Sequence, residues 1–371
     1  MKRVAIFHIS EYGGHSKAAQ NLEEALLYKN PQIDVISLNA LGYFYPRGEK
    51  IIDSIYTTTI KHFPSLWGKA YDRKKVVKAL TPSQKVVNKF AFKKLNNFIK
   101  KYKPDCFVAT QAFPCGVVAD FRKKTGLNIP LVGIVTDYHP HRFWVHPFVD
   151  RYVVACKEAK DVLIGHGVKP GKIKVFGIPI SVKFLTSYPK SQISQELGFL
   201  DNLTSVLIMG GGLGMGPLKT IAKKLNTLKH DFQIVAVCGR NKNLYDWFCK
   251  NKKKFKKPMF VFSYTDHIHK IMDFSDIIIT KGGGITISES LAKGLCIVVT
   301  NPIPGQEERN VEYLIKRQAV IKVDQAKDIG KAVDGLLKDY RKIYFLRERA
   351  KESSLIDSSL RIVDVILELI S

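Results

Sequence analysis

Short apolar runs recur along the whole chain, separated by stretches whose apolar positions follow helical spacing. In the first half the runs are Val4–Ile9, Ile33–Leu38, Cys106–Ala109, Leu131–Val135, Tyr152–Ala155 and Ile173–Phe176. The second half repeats the rhythm with Ser205–Met209, Ile234–Cys238, Met259–Phe262, Ile277–Thr280, Cys296–Thr300 and Val320–Val323. Runs that are apolar almost throughout, with helices between them, predict parallel strands buried on both faces. Two successive sets predict an α/β chain with two Rossmann-like doubly wound sheets. The boundary is expected in Gly177–Gln195, where prolines and serines interrupt any periodicity. The expected domains are 1–180 and 190–345, with a C-terminal helix over 345–371 completing the first. Two such domains would face each other across a cleft at the carboxyl ends of their strands, where ligands bind in folds of this kind.

Each half opens with strand, glycine-rich turn and helix. In the second half the turn is MGGGLGMGP, Met209–Pro217. Its glycines let a ligand approach the backbone, and amides at the helix start favour phosphate oxygens. It lacks the GK[ST] ending of a P-loop. It also departs from the dinucleotide fingerprint, because CGRN after the next strand offers no acidic residue for a ribose. TKGGGITISESLAKG, Thr280–Gly294, repeats the arrangement and carries Glu289 in the helix. That carboxylate is placed to accept ribose hydroxyls while the glycine amides face a diphosphate, with Lys281, Gly283, Gly284, Ile285 and Thr286 counted in the nucleotide and sugar site; the plainer reading is a charge complementing the helix dipole. In TNPIPGQEERN, Gln306, Glu307 and Asn310 offer polar groups for sugar hydroxyls, or simply a solvated helix start.

In the first half, His15 follows Gly14, itself expected on the nucleotide and sugar side, on the turn SEYGGHSKAA. An imidazole at the functional edge of a sheet can take a proton from an acceptor hydroxyl. The segment VTDYHPHRFWVHPFVDRYVV holds Asp137 and three histidines, but without a metal-binding frame. It reads as a polar and aromatic acceptor-side loop with Trp144 as an apolar contact.

Charge changes the picture more than composition does. The 371 residues carry 59 Lys and Arg against 33 Asp and Glu, a formal +26, which attracts polyanions or an anionic bilayer. Between Lys61 and Lys103, thirteen basic residues face one acidic residue, Asp72. Residues 51–75 interleave this charge with Phe63 and Trp67, as an interfacial segment does. Val87, Ala91, Leu95, Phe98 and Tyr102 form a helical stripe instead, expected to pack on a core. KNKKKFKK, Lys250–Lys257, reads as an exposed loop. Six cysteines show no metal-ligand spacing and read as small core residues in a reducing compartment. Neither a signal peptide nor an apolar run long enough to span a bilayer is evident, so the expected location is cytoplasmic and peripheral on the inner face of the membrane.

With these residues in hand, the chain resembles the monogalactosyldiacylglycerol synthase and processive diacylglycerol glucosyltransferase family. More distantly, it is similar to the transferase that adds N-acetylglucosamine to peptidoglycan lipid precursors. KGGGITISESLAKG followed by NPIPGQEERNVEYL carries most of the likeness; TDYHPHRFW, GIPI and MGGGLGMGP agree in order. The resemblance implies a GT-B fold, UDP held mainly by the second domain, a lipid acceptor at the first, and inversion at the sugar carbon. It implies no cofactor or metal, the UDP-sugar being a substrate. Gly211, Gly212 and Gly214 would line the nucleotide, Arg240 and Tyr264 would frame uracil and phosphates, and Glu289 would hold ribose. Gln306 and Glu307 would hold the hexose, and His15 would act on the acceptor hydroxyl. Two positions depart from the family pattern: Gly282 stands where proline is common, and Leu213 where a polar residue is usual.

Competing classes fare less well. A nucleic-acid binder would suit the charge but leave the glycine turns unexplained. An oxidoreductase would explain one turn but not PGQEERN. A UDP-sugar epimerase shares the architecture, and the aromatic and basic acceptor side argues against it.

Overall fold

The computed structural model describes residues 1–46 and 90–371. Phe63, Trp67 and most of the basic segment lie outside them. The chain divides into two compact units: Met1–Val182 with Pro304–Gln306 and Asp357–Ser371, and Lys183–Ile303 with Glu307–Ile356.

In the first unit, β1 (Arg3–His8), β2 (Asp34–Asn39), β3 (Cys106–Ala109), β4 (Leu131–Ile134), β5 (Arg151–Val154) and β6 (Ile173–Val175) form one sheet in the order β2-β1-β3-β4-β5-β6. All neighbours are parallel. β3 and β4 are buried at every residue, which is why their sequences show no alternation. Helix α1 (Gly14–Lys29) turns Ala18, Ala19, Leu22, Ala25 and Leu26 inward at helical spacing. A short α2 (Ala40–Phe44) follows β2. Ala91, Leu95 and Phe98 of α3 (90–102) are buried, with the Phe98 ring tilted against that of Phe7 at 5.4 Å between centroids. Val87 of that stripe is not among the described residues. α4 (Ala112–Thr125) and α5 (Lys157–Gly165) complete the winding.

The second sheet comprises β7 (Thr204–Met209), β8 (Phe232–Val237), β9 (Met259–Phe262), β10 (Ile277–Thr280), β11 (Cys296–Thr300) and β12 (Val320–Val323). Its order is β12-β11-β10-β7-β8-β9, again parallel throughout. The helices here are α6 (Lys190–Leu197), α7 (Leu218–Leu225), α8 (Lys242–Asn251), α9 (Ile268–Phe274), α10 (Gly284–Ala292), α11 (Gln306–Lys316), α12 (Ile329–Lys338) and α13 (Tyr340–Glu352). All twelve strands read from the pattern are present, with edges shifted by a residue or two.

The stretch 345–371 is two helices. α13 is capped by Ser353, whose hydroxyl donates to the Arg349 carbonyl at 2.8 Å, and its buried Ile343 and Leu346 belong to the second core. α14 (Ser358–Ile370) puts Ile362, Val363 and Ile366 into the first core beside Val4, Ile6 and Leu22. Ser358 donates to the Ile178 carbonyl at 2.9 Å. Five of the six cysteines are buried and all six are free thiols.

Candidate active site

Within the first sheet the strand order reverses at β1, which lies between β2 and β3. The turns leaving β1 and β3 therefore end side by side. His15, second residue of α1, comes from one and Thr110 from the other. His15 Nδ1 lies 2.9 Å from the Thr110 carbonyl oxygen. A carbonyl only accepts, so Nδ1 carries the hydrogen and Nε2 keeps its lone pair. The Thr136 hydroxyl, 3.0 Å from Nδ1, is then a second acceptor. The Thr110 hydroxyl donates back to the His15 carbonyl at 2.9 Å, so the backbone is pinned as well as the ring. Burial pushes the imidazole down to about 4, with the charge of nearby His8 adding to the effect. The ring is thus neutral at physiological pH, in one tautomer, with an unprotonated nitrogen. Gly14 begins the same helix and is exposed.

In the second sheet the reversal falls at β7, between β10 and β8. The turn after β7 is closed by amides of Gly214 and Met215 donating to Gly211 and Gly210 carbonyls, each at 3.0 Å. Gly214 has φ +60°, and a Cβ there would lie 1.9 Å from the Cys238 carbonyl oxygen; only glycine fits. The Arg240 amide donates to the Gly212 carbonyl at 2.9 Å, and the Arg240 guanidinium lies 4.6 Å over the Tyr264 ring. Tyr264 is itself exposed, and a Cβ on Gly212 would touch its ring edge at 4.0 Å. A cation and a flat ring therefore stand together beside the glycine turn, a pairing suited to a base and its phosphates.

On the other side of this turn lies the one after β10. A Cβ on Gly211 would meet Lys281 Cε and Thr286 Oγ1, both at 3.8 Å. The Lys281 ammonium pairs with the Glu307 carboxylate, whose second oxygen accepts from the Ile303 amide at 2.9 Å. A Cβ on Gly283 would lie 3.5 Å from Glu307 Oε1. Gly282 admits the start of α11: a Cβ there would sit 2.7 Å from the Glu307 carbonyl oxygen and 2.8 Å from Val311 Cγ2. Asn310 is fully buried and donates to the Gly282 carbonyl at 3.0 Å, bracing α11 against this turn. The segment α10, with Gly284, Ile285 and Thr286 in its first turn, starts here, and Glu289 lies one turn further on, 4 % exposed. Residues from five separate loops thus converge at one edge of the sheet.

Comparison with known proteins fits this geometry. The family pattern described as monogalactosyldiacylglycerol (MGDG) synthase matches residues 15–180, and that of the glycosyltransferase family 28 C-terminal domain matches residues 205–364. The processive diacylglycerol beta-glucosyltransferase of Bacillus subtilis strain 168 is 30 % identical over 99 % of this chain and 95 % of its own. That of Bacillus pumilus is 34 % identical over 76 % of this chain and 73 % of its own. The chain belongs to the monogalactosyldiacylglycerol synthase and processive diacylglycerol glucosyltransferase family. It is a glycosyltransferase with the GT-B fold. MurG of Acinetobacter baumannii superposes with a TM-score of 0.65 over 99 % of this chain and 100 % of its own, at 13 % identity. The UDP-GlcNAc 2-epimerase of Neisseria meningitidis, solved with UDP-GlcNAc, gives 0.65 over the same shares at 14 % identity. At such identity these two speak for the fold alone, shared by transferases and an epimerase.

Some contacts in this glycosyltransferase join residues that the sequence pattern did not single out or connect. Thr110 and Thr136 stand just beyond β3 and β4, and their place at strand carboxyl ends was the available signal. The Lys281–Glu307 pair spans 26 residues of sequence, and no local pattern connects them. Trp144 is 2 % exposed, and its carbonyl accepts from the Tyr152 hydroxyl at 2.7 Å. Asp137, beyond β4, is buried too. Among the described residues no cluster of His, Cys, Asp and Glu is arranged to hold a metal, and no helix is long and apolar enough to cross a membrane.

Proposed function

We propose that this enzyme transfers glucose from UDP-glucose to diacylglycerol, with inversion at the anomeric carbon, while docked on an anionic membrane surface. The observation that carries the reading is the second-unit constellation of Arg240, Tyr264, two glycine turns and the Lys281–Glu307 pair, in a chain whose relatives are named diacylglycerol glucosyltransferases.

In this reading Tyr264 and Arg240 receive uracil and phosphate, Glu289 the ribose hydroxyls, and Gln306 with Glu307 the hexose hydroxyls. His15 acts on the acceptor, with Asp137 on the same side. Nε2 takes the proton of the acceptor hydroxyl as that oxygen bonds to C1, opposite the departing phosphate. The C1–O bond breaks with its electron pair going to UDP. One displacement inverts the centre and needs no covalent intermediate. Helix-start amides at Gly283 and Gly284 and the glycine turn stabilise the charge that grows on the leaving group. An imidazole that is neutral throughout the physiological range needs no prior deprotonation. Attachment to the bilayer rests on the +26 charge and on the basic, aromatic stretch of 51–75, where each Lys or Arg contributes about 1 kcal/mol near an anionic surface.

The test is incubation with labelled UDP-glucose, UDP-galactose or UDP-N-acetylglucosamine and diacylglycerol, in neutral and in anionic vesicles, with the product anomer read by NMR. β-Glucosyl-diacylglycerol, formed faster on anionic vesicles, is the expected product. Transfer from another donor, retention of configuration, or indifference to vesicle charge would each remove the corresponding part of the proposal.

A further inference from the structure

The Lys281–Glu307 pair is more enclosed than an ordinary surface ion pair. The two side chains are 20 % and 8 % exposed. A carboxylate this buried needs partners for its charge. Among the described residues Glu307 has two: the Lys281 ammonium on one oxygen and the Ile303 amide on the other. A carboxylate offers about four lone-pair directions, so about two remain for a ligand, and both oxygens are fixed in place. Lys281 in turn is held between the two glycine turns, with its Cε 3.8 Å from where a Gly211 Cβ would be and its Nζ 3.8 Å from where a Gly283 Cβ would be. Its own aim is therefore set by backbone that a side chain would obstruct.

We propose that Lys281 is a positioning residue for Glu307: it keeps the carboxylate charged and aimed so that it can read the hexose of the donor. This rests on the reading of a UDP-hexose donor. Lys281 acts on sugar recognition through Glu307, so the two should behave as one unit and not as independent contributors. A residue serving only the diphosphate would affect UDP and UDP-glucose alike.

The experiment compares Lys281→Met, Lys281→Arg, Glu307→Gln and the Met/Gln double variant by calorimetry with UMP, UDP and UDP-glucose, with thermal melting of each protein alongside. Loss of a charge-assisted contact predicts UDP-glucose binding about 10- to 100-fold weaker in Lys281→Met. UDP should weaken at least tenfold less, on the order of the same constants, and UMP should hold within about threefold. Glu307→Gln should show the same ligand profile, the double variant should lose little more than the worse single, and Lys281→Arg should recover most of the loss. Equal weakening of UDP and UDP-glucose, or single losses that multiply in the double variant, overturns the proposal. So does loss of all three ligands together with a collapsed melting temperature in both Lys281 variants, since that marks a purely structural pair. If the wild-type enzyme binds none of the three ligands, the donor reading itself fails and the proposal falls with it.

Discussion

His15 Nδ1 and the Thr110 carbonyl oxygen are 2.9 Å apart, joining the turns after β1 and β3 where the strand order of the first sheet reverses. The contact fixes the tautomer, and burial sets the titration. Because the imidazole is pushed down to about 4, the reactive neutral form exists above that value and is lost below it. The acid limb of kcat/KM should therefore fall near pH 4, not near the ordinary histidine value of 6.5. His15→Ala should lower kcat by about 10²- to 10⁴-fold while UDP still binds. Thr136→Val, which removes the second acceptor at Nδ1, should have a smaller effect. A limb centred at the ordinary value, or a fast His15→Ala enzyme, would place the base elsewhere.

Glu289 is enclosed behind the first turn of α10. If it holds the ribose, Glu289→Ala should weaken UDP by about 10- to 150-fold, the worth of a charge-assisted hydrogen bond. 2′-Deoxy-UDP distinguishes this contact from a general loss of shape. It should bind the wild type less well than UDP does, and bind Glu289→Ala no worse than UDP. A mutant that still prefers UDP over the deoxy form retains its ribose contact, and the assignment to Glu289 is then wrong.

Gly282 lets α11 approach the turn after β10 more closely than any side chain would. Gly282→Ala must push the Glu307 carbonyl and Val311 away, an overpacking that costs about 1 to 3 kcal/mol. Because the displaced helix carries Gln306 and Glu307, UDP-glucose KM should rise while UDP inhibition changes little. Unaltered kinetics would mean that the approach of α11 does not matter for the sugar.

Burial also depresses His8, His146 and His269, the last to about 4, as it does His15. Each binds a proton more readily in the unfolded chain than in the folded one. For His15 and His269 this contribution to stability is complete above the unfolded value of 6.5 and is lost as pH falls towards about 4; His8 and His146 act in the same direction. His15 and His269 each add a slope of up to about 1.4 kcal/mol per pH unit within that window. Melting curves from neutral pH down should show the decline, and His269→Asn should make it shallower. A melting temperature independent of pH across the window would contradict the assignment.

Much of this was readable along the chain. Strand identity depends on local composition, so IIIT and CIVVT declare themselves without neighbours, and the glycine turns mark where backbone must bend sharply. His15, Glu289 and the QEE segment could be singled out because each sits just past such a strand. The burial of Trp144 was not legible, because a single aromatic residue between polar ones looks the same whether its ring faces out or in.

The sequence by itself determined the twelve strands, their parallel character and the loops that carry polar groups, because those follow from hydrophobicity over a few residues. Only the tertiary structure decided that β7 lies beside β10 and β1 beside β3. Those pairings are set by how buried faces of distant segments fit together. They bring Thr110 to His15 and Lys281 to the first glycine turn, and the packing of α11 brings Glu307 to Lys281. The proposed chemistry rests on these contacts, and no short-range pattern encodes them.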